Sequence, residues 1–125
     1  MRIALAAAFV LATTPAFASV GLFCSGPDGV SVDAPLSGGA GLRTMSAVIQ
    51  AGGRTWTTEA AHEDPQAIVP AQSFSDGNLM WLDFSDTNIE ANVVEIRLFS
   101  ASEGAIGGTL NIPGVGSWVL TCDIG

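Results

Sequence analysis

Ser117-Trp118-Val119-Leu120-Thr121-Cys122 is the stretch on which the reading of the fold turns. Trp118, Leu120 and Cys122 fall on alternate positions, the period of a β-strand with one buried face. The stretch follows a turn, Pro113-Gly114-Val115-Gly116, and its cysteine has one possible partner, Cys24, near the other end of the sequence. A bond between the two would tie the first strand to the last and close the domain into a single loop. Trp118 is then expected in the core beside that bond.

The beginning of the sequence bears on whether the bond forms. Arg2 supplies a positive end, Ile3 to Ala12 is an apolar run too short to span a bilayer, and Ala16-Phe17-Ala18 reads as a cleavage site. Residues 1–18 are therefore expected to be a cleaved signal peptide and 19–125 a single β-domain, periplasmic or extracellular. Phe23 precedes Cys24 where a lipoprotein signal needs a small side chain, so no lipid anchor is expected. Export to an oxidising compartment favours the Cys24–Cys122 disulfide. Closing a loop of roughly 100 residues stabilises a fold by up to about 4.7 kcal/mol on the chain-entropy account.

Charge removes whole classes of partner. Without Arg2 the basic side chains are Arg43, Arg54 and Arg97, set against 12 Asp and Glu residues, and lysine is absent. Nucleic-acid binding requires a cationic surface to displace counterions, which this composition does not supply. Attraction to anionic lipid fails for the same reason, and no membrane insertion is expected after signal cleavage. A cationic partner or a divalent cation remains compatible with the charge.

No apolar repeat of helical period runs for three turns. Short alternating runs broken by Gly, Pro, Asp and Asn recur instead. Val20 to Cys24 reads as the first strand, Gly26-Pro27-Asp28-Gly29 as a turn, and Val30, Val32 and Ala34 as the buried face of the second strand. Leu36 to Leu42 reads as a glycine-rich connection. Thr44 to Ala51 reads as a strand with Met45, Ala47 and Ile49 on one face, turned by Gly52-Gly53 into Arg54 to Thr58. Glu59 to Pro65 has helical leanings. Ile68 to Phe74 is expected at a sheet edge because Pro70 cannot donate to a ladder. Leu79 to Ser85, Val93 to Ser100, Gly107 to Ile112 and Ser117 to Asp123 are the clearest strands. About eight or nine short strands predict an all-β fold, an antiparallel sandwich or a small barrel.

Chemistry-bearing patterns are sparse. The only histidine, His62, lies in Glu59-Ala-Ala-His62-Glu63-Asp64 and lacks the second imidazole or thiolate a transition-metal site calls for. No Gly-x-Ser-x-Gly elbow accompanies it. Asp83, Asp86, Asn88 and Glu90 are closely spaced oxygen donors, of which Asp86-x-Asn88-x-Glu90 has the alternate spacing of a calcium loop without the EF-hand glycine and distal glutamate, and they form a weak calcium candidate. Trp81 is expected to point outward with Leu79 and Asp83 if Met80, Leu82 and Phe84 face the core. Trp56, Trp81 and Arg54 are the candidate recognition surface, since tryptophan and arginine dominate binding hot spots.

The expected function is that of a small exported, acidic, disulfide-stapled binding module, not an enzyme. Its partner is expected to be a protein or small ligand, with a cationic one favoured by charge. The alternatives are an inhibitor of a cationic exported enzyme such as a lysozyme, and a weak calcium-binding accessory protein. The chain has no tyrosine and so lacks the Ser-Gly-x-x-Tyr stretch of c-type lysozyme inhibitors.

Overall fold

The structure, a computed structural model, describes residues 20–37, 43–44, 46–59 and 65–125. The expected signal segment 1–18, Met45 and His62 lie outside these residues. Eleven strands follow in order: β1 (Val20–Ser25), β2 (Ser31–Ser37), β3 (Arg43–Thr44), β4 (Val48–Ala51), β5 (Arg54–Thr57), β6 (Pro65–Ala67), β7 (Val69–Asp76), β8 (Leu79–Ser85), β9 (Asn92–Ser100), β10 (Ile106–Ile112) and β11 (Gly116–Ile124). This exceeds the expected count because very short strands escape a periodicity reading. β3 and β6 are two and three residues long.

The strands form one sheet in the order β6-β5-β4-β2-β1-β11-β10-β9-β8-β7, with β3 pairing β2 off this path. Only Ile68 separates β6 from β7 in the chain, although the two lie at opposite ends of the path. Ile68 is buried, and its N–H donates to the Thr57 carbonyl at 3.1 Å. The sheet therefore curls into a nearly closed barrel whose seam is bridged by the chain itself, which decides between the two architectures left open above. Counted with β6 and β7 as one bent stave, the ring has nine staves. An odd ring of alternating strands requires one parallel neighbour pair, and β5–β6 is that pair.

Alternation places the apolar side chains inside. Leu22 and Cys24 of β1, Val32, Ala34 and Leu36 of β2, Leu82 and Phe84 of β8, Val94, Ile96 and Leu98 of β9, Leu110 of β10 and Leu120 of β11 are all buried. Turns at Gly52–Gly53 and Gly77–Asn78 are the tight two-residue kind, with positive φ at Gly52, Gly53 and Gly77. Because the strands alternate in direction, the turns at 26–30, 52–53, 86–91 and 113–115 lie at one end of the barrel. Those at 77–78 and 101–105 lie at the other.

The first and last strands meet as the cysteines require. Cys24 faces Cys122 in the β1–β11 register, with a Cα–Cα distance of 4.0 Å and a sequence separation of 98. Trp118 is half-buried against the core rather than enclosed by it. Its indole lies over Gly116, where an added Cβ would come within 2.9 Å of the ring. β7 is an edge strand next to β8, as Pro70 predicts, with a register shift between Pro70 and Ser73. Two expectations need correction. Leu36 belongs to strand β2, where it is buried, not to a loop. The run from Thr44 to Ala51 is interrupted, with Thr44 in β3 and Val48–Ala51 in β4.

Candidate recognition surface

The outer wall over β7, β8 and β9 carries three exposed aromatic side chains, Phe74, Trp81 and Phe99, while a fourth, Phe23, stands on β1. Register sets Phe74 opposite Trp81, Trp81 opposite Arg97, and Leu79 opposite Phe99. Trp81 is 44% exposed and Phe99 53%, with Phe74 and Leu79 similarly open. The Phe74 and Trp81 rings meet edge to face, centroids 5.8 Å apart. The Arg97 guanidinium sits over the indole at 4.6 Å from its centroid, so one face of Trp81 is already engaged by a cation.

Arg97 is held from its other side by acid groups. Its Nη1 donates to Asp83 Oδ1 at 2.6 Å and to the Ile96 carbonyl at 3.0 Å, and Nη2 lies 3.7 Å from Glu95 Oε2. Asp83 points outward from β8, yet its side chain is only 5% exposed, so a buried carboxylate and a partly open guanidinium neutralise each other. The polar line continues across the sheet: Asn111 Nδ2 donates to Glu95 Oε1 at 2.9 Å, and Ser117 Oγ donates to Asn111 Oδ1 at 2.6 Å. This chain of side chains spans β8 to β11 and fixes the guanidinium against which Trp81 stacks.

The predicted site residues divide. Trp81 stands exposed at the centre of the aromatic cluster. Trp56 does not join it: at 5% exposure it is a core residue. Threonines on both sides of Trp56 conceal its face, and the next residue, Thr57, is also buried, so β5 is covered on both sides at this point. Arg54 is exposed at the Gly52–Gly53 hairpin and lines a shallow hollow of about 240 Å³ with Asp28 and Gln50, at the other end of the barrel from the Gly77–Asn78 turn. The recognition surface expected from Trp56, Trp81 and Arg54 thus reduces to Trp81 with new neighbours. Leu79 stands outward beside Trp81 as expected, whereas Phe74, Phe99 and Arg97 were missed, although the outward phase of β8 already implied a row of partners on the adjoining strands.

Asp83 and Asp86 of the calcium candidate are engaged elsewhere in the fold. Asp83 is engaged by Arg97, while Asp86 Oδ1 accepts the Glu90 N–H at 2.9 Å and the Asp86 carbonyl accepts the Ile89 N–H at 3.0 Å. Asp86 therefore closes its own loop, as aspartates in turns do. Among the described residues no group of three or more His, Cys, Asp or Glu side chains is arranged to hold a metal. That loop carries an exposed Ile89 at φ 57°, a conformation that β-branched residues disfavour. Comparison with known proteins gives no match, whether to a protein family, a curated protein or a solved structure.

Proposed function

We propose that this chain is a non-enzymatic binding module, exported to an oxidising compartment, which recognises a cationic protein through the aromatic face of β7, β8 and β9. The observation that carries the reading is the Phe74–Trp81–Arg97 stack with Leu79 and Phe99 beside it. Large apolar side chains gathered on one solvent-facing wall mark interaction sites more often than scattered ones do. Trp81 is also held between a ring and a guanidinium, so little side-chain entropy remains to be lost on binding. The disulfide is compatible with the proposed compartment. A membrane-spanning barrel places apolar residues outward and polar ones within; here the interior is apolar and polar residues share the outer wall.

Charge selects the partner class. The chain carries a formal net charge of −8, and the guanidinium within the face is already neutralised by Asp83 and Glu95. A basic partner gains in encounter rate, and the gain falls with ionic strength. The test is affinity capture from the exported fraction with the oxidised protein and with Trp81→Ala. A basic protein held by the wild type, lost from Trp81→Ala and released by salt is the expected result. A set of captured proteins that is the same for both baits overturns the reading. Lysozyme serves as a defined probe for the inhibitory form of this function, in which turnover falls at stoichiometric protein.

A further inference from the structure

The aromatic face borders a socket at the end of the barrel closed by the Gly77–Asn78 turn. Leu79, Met80, Leu98, Ile106 and Ile124, with Ser75 of the edge strand, line an open hollow of about 100 Å³. Leu79 belongs to both the face and the socket, so the two features adjoin there. Cavities of about 150 Å³ with aliphatic walls take up molecules the size of benzene. A hollow of this smaller size suits one aliphatic side chain and is too small for an indole.

The surroundings of the socket are acidic. Asp76 stands between the lining residues Ser75 and Gly77, Asp123 precedes Ile124, and Glu103 sits on the loop joining Ser100 to Ile106; all three are exposed. Of the arginines among the described residues, Arg97 is committed to Asp83 and Glu95, Arg54 lies at the opposite end, and Arg43 of β3 is the one placed near this end by its pairing with Ser37. Carboxylates therefore outnumber cations around an apolar hole. We infer that the socket receives a leucine, isoleucine or valine side chain from a basic segment of the partner, flanked by lysine or arginine. The inference rests on the aromatic face being the recognition surface and adds to it the anchor that the face surrounds.

Two peptides test it, acetyl-Lys-Lys-Leu-Lys-Lys-amide and its Leu→Ser counterpart, titrated into the oxidised, carbon-13-labelled protein. The leucine peptide is expected to shift the methyl resonances of Met80, Leu98, Ile106 and Ile124 saturably, with affinity that weakens as salt is raised. The serine peptide is expected to bind at least about tenfold more weakly. Equal shifts from both peptides, or responding methyls elsewhere in the barrel, overturn the inference. Ser75→Phe fills the socket from an exposed strand position and is expected to abolish the response, with folding checked on the unperturbed core methyls of Val94 and Ile96. A captured partner held equally by Ser75→Phe and wild type but lost from Trp81→Ala refutes the socket and leaves the aromatic face standing. Loss from both variants supports both.

Discussion

Arg97 connects a buried acid to an open surface. Its guanidinium neutralises Asp83, which is 5% exposed, while its own side chain is 33% exposed and covers the Trp81 ring. Removing one member of such a pair strands the other, and the stranded group here is a carboxylate without solvent. Arg97→Met is therefore expected to lower stability by about 2 kcal/mol, an amount discounted for the partial exposure of the arginine. The double variant Asp83→Leu/Arg97→Met removes both charges and is expected to recover most of that loss. Chemical denaturation of the three proteins checks this. A double variant as unstable as the single one would show that the pair contributes through shape rather than charge. At this scale the sequence showed Glu95 and Arg97 alternating with Val94, Ile96 and Leu98, but not that Arg97 would reach diagonally to Asp83. That contact depends on the β8–β9 register, which no single strand encodes.

At the scale of strands, the β9–β10 ladder depends on one missing side chain. A Cβ built on Gly108 would lie 1.9 Å from the Arg97 carbonyl oxygen and 2.8 Å from the Leu98 Cα, both backbone atoms. The neighbouring Gly107 has nothing closer than 3.4 Å. Gly108→Ala must push two strands apart and is expected to cost about 3 kcal/mol or more, whereas Gly107→Ala stays within about 1 kcal/mol. Thermal unfolding of the pair decides it, and equal effects would refute the close approach. The strands most legible in the sequence were β8 to β11, seven to nine residues long, with burial alternating along β9 and β11 although β8 is buried on four successive residues from Leu82 to Ser85. The barrel's other half was less legible for physical reasons. β5 is buried on successive residues, Trp56 and Thr57, so period two fails there. β6 gains its place by parallel pairing with β5, the strand before it in the chain, a fact absent from its three residues. Oxygen donors of the calcium pattern are divided between other partners, Asp83 engaged by Arg97 and Asp86 Oδ1 accepting the Glu90 N–H, which depends on tertiary pairing and turn closure that their spacing does not show.

The whole molecule is one ring joined by one covalent cross-link. Replacing both cysteines, C24A/C122A, releases a loop spanning 98 residues of sequence. Stability is expected to fall by about 3–4 kcal/mol, which for a domain near 100 residues lowers the melting temperature by roughly 15–30 °C. Calorimetry on the variant checks this. A melting temperature within a few degrees of the wild type would mean that the β1–β11 ladder, not the bond, holds the ring closed. That ladder is independently well made: the N–H groups of Gly21 and Gly125 each donate to the other's carbonyl, at 2.9 and 3.0 Å.

The neighbourhood of β1 and β11 also governs the timetable of folding. The ribosome makes β1 first of the described strands and its partner β11 last of them, so one flank of β1 stays bare until β11 has been made. Contacts of such long sequence separation form slowly, and an open flank meanwhile invites pairing with other chains. A nascent product cut short before Gly116 would keep both hazards, a lone thiol at Cys24 and a strand with no last neighbour to claim it.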